Sequence, residues 1–312
     1  MPFLSAASLS LAVFRGARSR SSPVGAGFGA WVRGARPRTL PAAVSPVLVG
    51  TAVASVSGGV IWWRAGACLV VAGALQVATN YANDYSDGVR GADAERVGPQ
   101  RLVASGAARP KAVLAAAGVS FAVAGIAGLA LAAAVGPQLI VLGAACIAAG
   151  WLYTGGPRPY GYAGWGEVFV FVFFGLVAVI GTAYVQTLKL TALAVAAAVP
   201  VGLLAVGLLV ANNLRDIEGD ALAGKKTLAV RMGPRATRVS YAFVVLAPFA
   251  LLGPVAWVRP WAAVALIALP LAVSLVLKVL RGVSGLDLVG VLGGGGVLAL
   301  VFAVLLAVGI AV

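Results

Sequence analysis

An all-α, polytopic membrane protein of about nine transmembrane helices is the fold class that three observations predict. The chain of 312 residues is 61% hydrophobic and 10% charged, with a mean hydropathy of +1.02. Soluble domains carry about 25% charged residues, so this chain has too little polar surface to cover a water-soluble core. Apolar stretches near the ~20 residues needed to cross a bilayer recur along its length. Its basic residues also alternate in a way that fixes a topology.

Breaks at Gly, Pro and charge clusters divide the chain into spans at roughly 39–56, 61–82, 110–134, 137–153, 165–187, 191–214, 237–256, 260–280 and 286–311. The Gly136-Pro137 break makes the third and fourth spans a tight hairpin. With the N-terminus in the cytoplasm, the cytoplasmic side receives 20 of the 23 Lys and Arg residues, and the outer side keeps Arg64, Lys189 and Arg259. The positive-inside rule then favours nine spans with the C-terminus outside. It also accounts for the net charge of +14 without a nucleic-acid partner, since there is no long basic tract and no aromatic-interleaved basic patch. Trp62 and Trp63, at the outer end of the second span, read as interfacial anchors.

Residues 1–35 form a basic, Ser/Gly-rich extension with no acidic residue, and residues 36–312 form the membrane domain. The extension reads as a disordered cytoplasmic tail or a start placed too early. A transit peptide is the other reading, set against the Ala/Val/Gly-rich composition of a GC-rich bacterial gene and hence a bacterial plasma membrane. Cys68 and Cys146 lie in apolar segments with no C-x-x-C, and the chain has no histidine. That excludes the usual zinc sites and histidine-based catalysis.

Charge is gathered where it is expensive. Seven of the nine acidic residues fall in two clusters, around "NDYSDGVRGAD" (Asn83 to Asp93, with Glu95 beyond) and "NNLRDIEGDALAGKKT" (Asn212 to Thr227); Glu167 and Asp287 lie elsewhere. In the nine-span topology both clusters end an inward-running helix on the cytoplasmic side. Asn80, Asp84 and Asp87 are spaced i, i+4, i+7, and Asn212, Asp216 and Asp220 i, i+4, i+8, so on a helix each set projects from one face. Like charges at that spacing repel, and a membrane boundary raises the cost by a few kcal/mol per charge. A cation between the two columns removes the penalty. Oxygen ligands without His or Cys fit Mg²⁺, which keeps waters and shares a substrate phosphate. Basic residues follow each cluster: Arg90, Arg96 and Arg101 after the first, Lys225, Lys226 and Arg231 after the second. Acid columns with Mg²⁺ beside such cations suit a diphosphate. A solvated helix boundary explains one cluster alone, but not two Asn-led clusters on the same side. A cation-coupled transporter is the rival reading; acids at helix ends beside basic loops suit a phosphorylated substrate better than a bare ion.

These motifs resemble the UbiA superfamily of intramembrane prenyltransferases. "NDYSDGVRGAD" with "RVGPQRLVASG", and "NNLRDIEGDALAGKKTLAVRMG", are similar to the two Asp-rich motifs of its 1,4-dihydroxy-2-naphthoate polyprenyltransferase branch. "RPRTLPAA" and "YTGGPRPYGYAGWGEVFVFVFFG" match the same branch, and the similarity runs from about Arg36 to the C-terminus. The resemblance implies nine helices around a central cavity capped on the cytoplasmic side. It implies Mg²⁺-dependent transfer of a polyprenyl chain from its diphosphate to 1,4-dihydroxy-2-naphthoate, with loss of the carboxyl group, giving demethylmenaquinone. Metal binding is carried to Asn83, Asp84, Asp87 and Asp93 in the first motif and to Asp216 and Asp220 in the second, with Asn80 and Asn212 in support. The position four residues after Asp87, an Asp in the commonest 4-hydroxybenzoate pattern, is Gly91 here, and the next acid is Asp93; that spacing belongs to the naphthoate branch. Another aromatic acceptor such as 4-hydroxybenzoate is the alternative.

The chemistry needs a diphosphate to leave an allylic carbon, with Arg90, Arg96, Arg101, Arg215, Lys225 and Lys226 as candidates to neutralise it. Arg215 is also placed to be the ion-pair partner of Asp216. The allylic cation needs a dry aromatic wall, for which Tyr153, Phe169, Phe173 and Phe174 are candidates; the apolar chain can leave into membrane lipid. Glu167 reads as a helix N-terminal charge or a rim residue, and Asp287 likewise. "GVLGGGGVLAL" in the last span reads as close helix packing, since it lacks the Lys and strand of a phosphate-binding loop.

Overall fold

Helices account for all of the regular structure among the described residues, which in this computed structural model are 27–92, 98 and 101–312. In chain order they are α1 (Phe28–Ala35), α2 (Pro41–Ser57), α3 (Trp62–Val89), α4 (Pro110–Val135), α5 (Gln138–Leu152) and α6 (Gly166–Val170). They continue as α7 (Ala178–Thr187), α8 (Ala192–Leu222), α9 (Leu228–Ala250), α10 (Gly253–Val258), α11 (Leu269–Leu280) and α12 (Asp287–Ala311). A π-helical stretch, Phe171–Val177, joins α6 to α7, and a 3-10 stretch, Pro260–Ala268, leads into α11. Seven of the resulting continuous helices are long and apolar enough to cross a membrane, and the bent pair Phe28–Thr39 plus Pro41–Ser57 makes an eighth. Gln138–Leu152 is apolar but shorter. Each expected span has its helix, and the protein is a multi-pass membrane protein.

Side-chain bonds show which helix ends share a face. Arg64 at the start of α3 donates to the carbonyls of Val185 and Ala134, and Lys189 donates to that of Ser57. The ends of α2, α4 and α7 therefore meet the start of α3. At the other face Asn80 Nδ2 donates to the Ala35 carbonyl, and Lys225 pairs with Asp87. Trp62, Trp63, Trp257 and Trp261 are all exposed at the face opposite the acidic motifs, as anchors at a membrane–water boundary would be.

Helix α8 is the central element: 67% of its apolar window is buried, against 17% for α4, whose outer surface is left for lipid. The largest buried cluster joins α2, α8, α9, α11 and α12. Small residues allow the close approaches, because helices in lipid associate through packing. A Cβ on Gly175 would come within 2.6 Å of the Gly202 backbone where the π-helical stretch crosses α8. The glycine run of the last span packs as expected: Gly294 faces Leu275 and Gly296 faces the Arg38 carbonyl.

Two expectations change. The motif helices do not stop at 82 and 214; α3 runs to Val89 and α8 to Leu222, so both acid columns are helical. Within the N-terminal extension, Phe28–Ala35 is a helix seated on α3, where the Tyr81 hydroxyl donates to the Trp31 carbonyl and the two rings meet edge to face. The remaining residues of the extension, 1–26, lie outside the described ones.

Candidate active site

The acid columns head a cavity of about 1020 Å³ that reaches from the motif face toward α4 and α5. Its head is lined by Asn83, Asp84, Asp87, Asn212, Asp216 and Asp220. Its middle has an aromatic wall, with Tyr160 stacked on Phe169 at 3.9 Å and Phe169 on Phe173 at 6.0 Å between centroids. Its far end is aliphatic, with Leu129, Ile140 and Ile147.

The first column is almost wholly buried: Asp84 is 1% exposed and Asp87 3%. Buried carboxylates need partners, and each has them. Asp84 accepts the backbone N–H groups of Leu102 and Val103 at 2.8 and 3.0 Å, which pins the loop after the first motif onto α3. Gly88 leaves room for that loop, since a Cβ there would meet the Val103 side chain at 2.5 Å. Asn83 Oδ1 accepts the Thr154 hydroxyl at 2.7 Å. Asp87 accepts the Tyr162 hydroxyl at 2.5 Å and pairs with Lys225 at 3.1 Å, with Arg101 at 3.7 Å. Burial, and after it the charge of Asp87, pushes the Tyr162 hydroxyl above the usual tyrosine range and keeps it a donor.

The second column has charged partners close in sequence. Asp216 forms a two-pronged pair with its neighbour Arg215 at 2.7 Å, and Arg215 also donates to Asn212 at 2.8 Å. Asp220 pairs with Lys225 at 3.3 Å. Lys225 therefore bridges Asp87 on α3 and Asp220 on α8, with its ammonium also over the Tyr162 ring. The two columns face each other across the width of one cation, and in this structure that cation is the lysine.

Could the same residues hold a divalent metal? Among the described residues no three carboxylates converge on one point. Asp87 and Asp220 do, and the amide oxygens of Asn83 and Asn212 line the same head. An all-oxygen set with few carboxylates, completed by water and phosphate, is how Mg²⁺ is usually bound. The donor chemistry fits Mg²⁺.

Of the expected basic residues, the structure brings Arg101, Arg215 and Lys225 to the cavity wall. It does not bring Arg90 or Lys226 there. The Arg90 guanidinium donates to the carbonyls of Thr154 and Gly156 and stacks on Tyr162, so it fastens the 153–162 loop over α3. Lys226 is exposed, and its backbone N–H is taken by the Tyr162 carbonyl. Asp93 and Arg96 lie outside the described residues. Tyr153, Phe169, Phe173 and Phe174 all line the cavity. Glu167 is not a rim residue: it is 9% exposed and accepts from Asn213 Nδ2 at 2.9 Å. Tyr162 and Asn213 were missed by sequence reasoning; the one signal was their place inside the two motifs that carry the family resemblance.

Comparison with known proteins agrees with this geometry. The UbiA prenyltransferase family pattern matches residues 43–289. The chain is 50% identical over 282 residues to 1,4-dihydroxy-2-naphthoate octaprenyltransferase of Mycobacterium tuberculosis, covering 90% of this chain and 97% of that one. It is 39% identical over 218 residues to the enzyme of that name from Escherichia coli, covering 65% and 68%. A UbiA homolog from Archaeoglobus fulgidus, solved bound to GPP and Mg2+, shares the fold with a TM-score of 0.61 at 16% identity, covering 91% of this chain and 100% of that one. The chain belongs to the UbiA prenyltransferase family.

Proposed function

We propose that this protein transfers a polyprenyl group from polyprenyl diphosphate to 1,4-dihydroxy-2-naphthoate, with loss of the carboxylate as CO2 and release of diphosphate, giving the quinol form of demethylmenaquinone, which an external oxidant such as air converts to the quinone. The observation that carries the donor half is the meeting of Asp87 and Asp220, from separate helices, on one ammonium at the head of a largely apolar cavity. The acceptor half rests on the two mycobacterial 1,4-dihydroxy-2-naphthoate octaprenyltransferases that are each 50% identical to this chain.

Asn83, Asp87, Asn212, Asp216 and Asp220 would hold Mg²⁺, which, when bound, supplies positive charge to the departing diphosphate. Arg101, Arg215 and Lys225 would neutralise the rest of that charge as the allylic C–O bond breaks. Asp84 holds the 101–105 loop and with it Arg101. The wall of Tyr153, Tyr160, Phe169 and Phe173 excludes water from the allylic cation and offers π-faces to it. The ring carbon attacks, the new C–C bond forms and CO2 leaves. The prenyl chain lies along the aliphatic end of the cavity, toward lipid.

The setting we infer is a bacterial plasma membrane, with the motif face and N-terminus cytoplasmic and the C-terminus outside. The basic asymmetry of the loops supports it.

Membranes containing the protein are given a polyprenyl diphosphate, Mg²⁺ and a panel of acceptors. The naphthoate should yield the quinol of demethylmenaquinone, read as the quinone after air oxidation, with no product from 4-hydroxybenzoate. Product from another acceptor alone would move the protein to a different branch, and substrate flux without diphosphate release would make it a transporter.

A further inference from the structure

We propose that Asn213 and Glu167 fix which way round the aromatic acceptor lies: Asn213 reads a ring hydroxyl, and Glu167 positions Asn213 while repelling the acceptor's carboxylate. This deepens the reading above and rests on it. Neither residue belongs to the acid columns. Glu167 is the second residue of α6 and is 9% exposed. Its Oε1 accepts from Asn213 Nδ2 at 2.9 Å, and its Oε2 has no hydrogen-bond partner among the described residues. A carboxylate buried with one oxygen unsatisfied costs stability, which suits a residue kept for the site rather than for the fold.

A carboxylate only accepts hydrogen bonds, whereas an amide has one accepting and one donating end. Glu167 therefore obliges Asn213 to turn its NH2 group inward. Among the described residues no donor reaches Asn213 Oδ1, although Asn213 is only 6% exposed and lines the cavity. An accepting oxygen on the wall of an apolar cavity asks for a hydroxyl. Its place suits the ring. Asn213 follows Asn212 of the second column, and Glu167 lies two residues before Phe169 of the aromatic wall. Tyr153 closes the same corner, since a Cβ on Gly166 would lie 3.7 Å from its hydroxyl. A flat dihydroxylated acid can lie against that wall with a hydroxyl on Asn213. The negative charge of Glu167 then directs its carboxylate the other way, toward Arg101 and Arg215.

The test compares wild type, Asn213→Ala and Glu167→Gln in membranes. It measures KM for the naphthoate, KM for the prenyl diphosphate, and inhibition constants of naphthoate analogues lacking one ring hydroxyl. Both variants should raise the naphthoate KM by about 10-fold, the worth of one such hydrogen bond, and leave the diphosphate KM within about twofold. Wild type should bind one mono-hydroxy analogue about 10-fold more weakly than the parent, and Asn213→Ala should lose that discrimination. Glu167→Asp, which still only accepts, should fall between wild type and Glu167→Gln. Equal damage to both KM values, unchanged discrimination, or loss of all turnover in both variants overturns the proposal. A wild-type protein that does not prenylate the naphthoate at all removes the reading beneath it, and the proposal with it.

Discussion

The two acid columns look alike in sequence and are built differently. The first, on α3, is tied into the protein by long-range bonds: Asp84 to the 102–103 backbone, Asn83 to Thr154, Asp87 to Tyr162 and Lys225. In the second, on α8, Asp216 pairs with the adjacent Arg215 and Asp220 with Lys225. A buried carboxylate with several fixed donors is a structural element as well as a ligand. One paired with an adjacent arginine can exchange that partner for a metal while the arginine takes a phosphate. The difference teaches that the first motif positions the loops of the site while the second is poised to respond to substrate.

Substitutions can break or sharpen that contrast. The largest effects are on turnover: Asp87→Asn and Asp216→Asn should each reduce prenyl transfer by at least ~100-fold, the scale of losing one charge-stabilising group. Asp87→Asn should also lower the melting temperature in detergent, and by more than Asp216→Asn, because Tyr162, Arg101 and Lys225 all lean on Asp87. Equal melting temperatures would erase the contrast. Next, Asp84→Ala leaves two backbone N–H groups without their acceptor and should cost roughly 2–3 kcal/mol, read as a lower melting temperature and earlier proteolytic cleavage near residues 101–105. A neutral result would mean that Asp84 does not hold that loop.

Lys225→Met removes the bridge and leaves Asp87 and Asp220 facing each other. Without Mg²⁺ its melting temperature should drop more than that of wild type, and added Mg²⁺ should recover more of it, by mass action on the folded form. The smallest effect should come from Tyr162→Phe, which deletes one hydrogen bond to a carboxylate. A loss of about 1.5–3 kcal/mol is the usual worth of such a bond, and it should appear in stability before it appears in KM for the diphosphate.

Most of this architecture was legible in the sequence because lipid imposes length. Apolar runs, the Gly136-Pro137 break and the basic asymmetry located each helix to within a few residues, except where polarity misled and at the start of α9, which begins at Leu228 rather than 237, with a kink at Gly233. Acids and asparagines after residue 82 and after residue 214 resemble the end of a span, yet α3 and α8 continue through them, since helix geometry is what stacks Asn80, Asp84 and Asp87 on one side. Spacing located both columns but not their partners. Nothing local in "TGGPRPYGYAGWGE" tells that Tyr162 reaches Asp87, 75 positions back, or that Arg90 is spent on the carbonyls of that loop. Lys225 was visible as a candidate for the diphosphate, and its bridging place was not. Glu167 looked like a charge at a helix start; its burial depends on α8 lying across it, which only the packing reveals.

The most direct test is prenyl transfer by the purified protein in detergent, with a polyprenyl diphosphate, 1,4-dihydroxy-2-naphthoate and Mg²⁺, alongside Asp87→Asn and Asp216→Asn. The account predicts the quinol of demethylmenaquinone and CO2 from wild type, none when Mg²⁺ is chelated, and near-complete loss in both variants. Turnover retained after chelation, or retained in either variant, would contradict the claim that two acid columns facing one another across a cation form the diphosphate site.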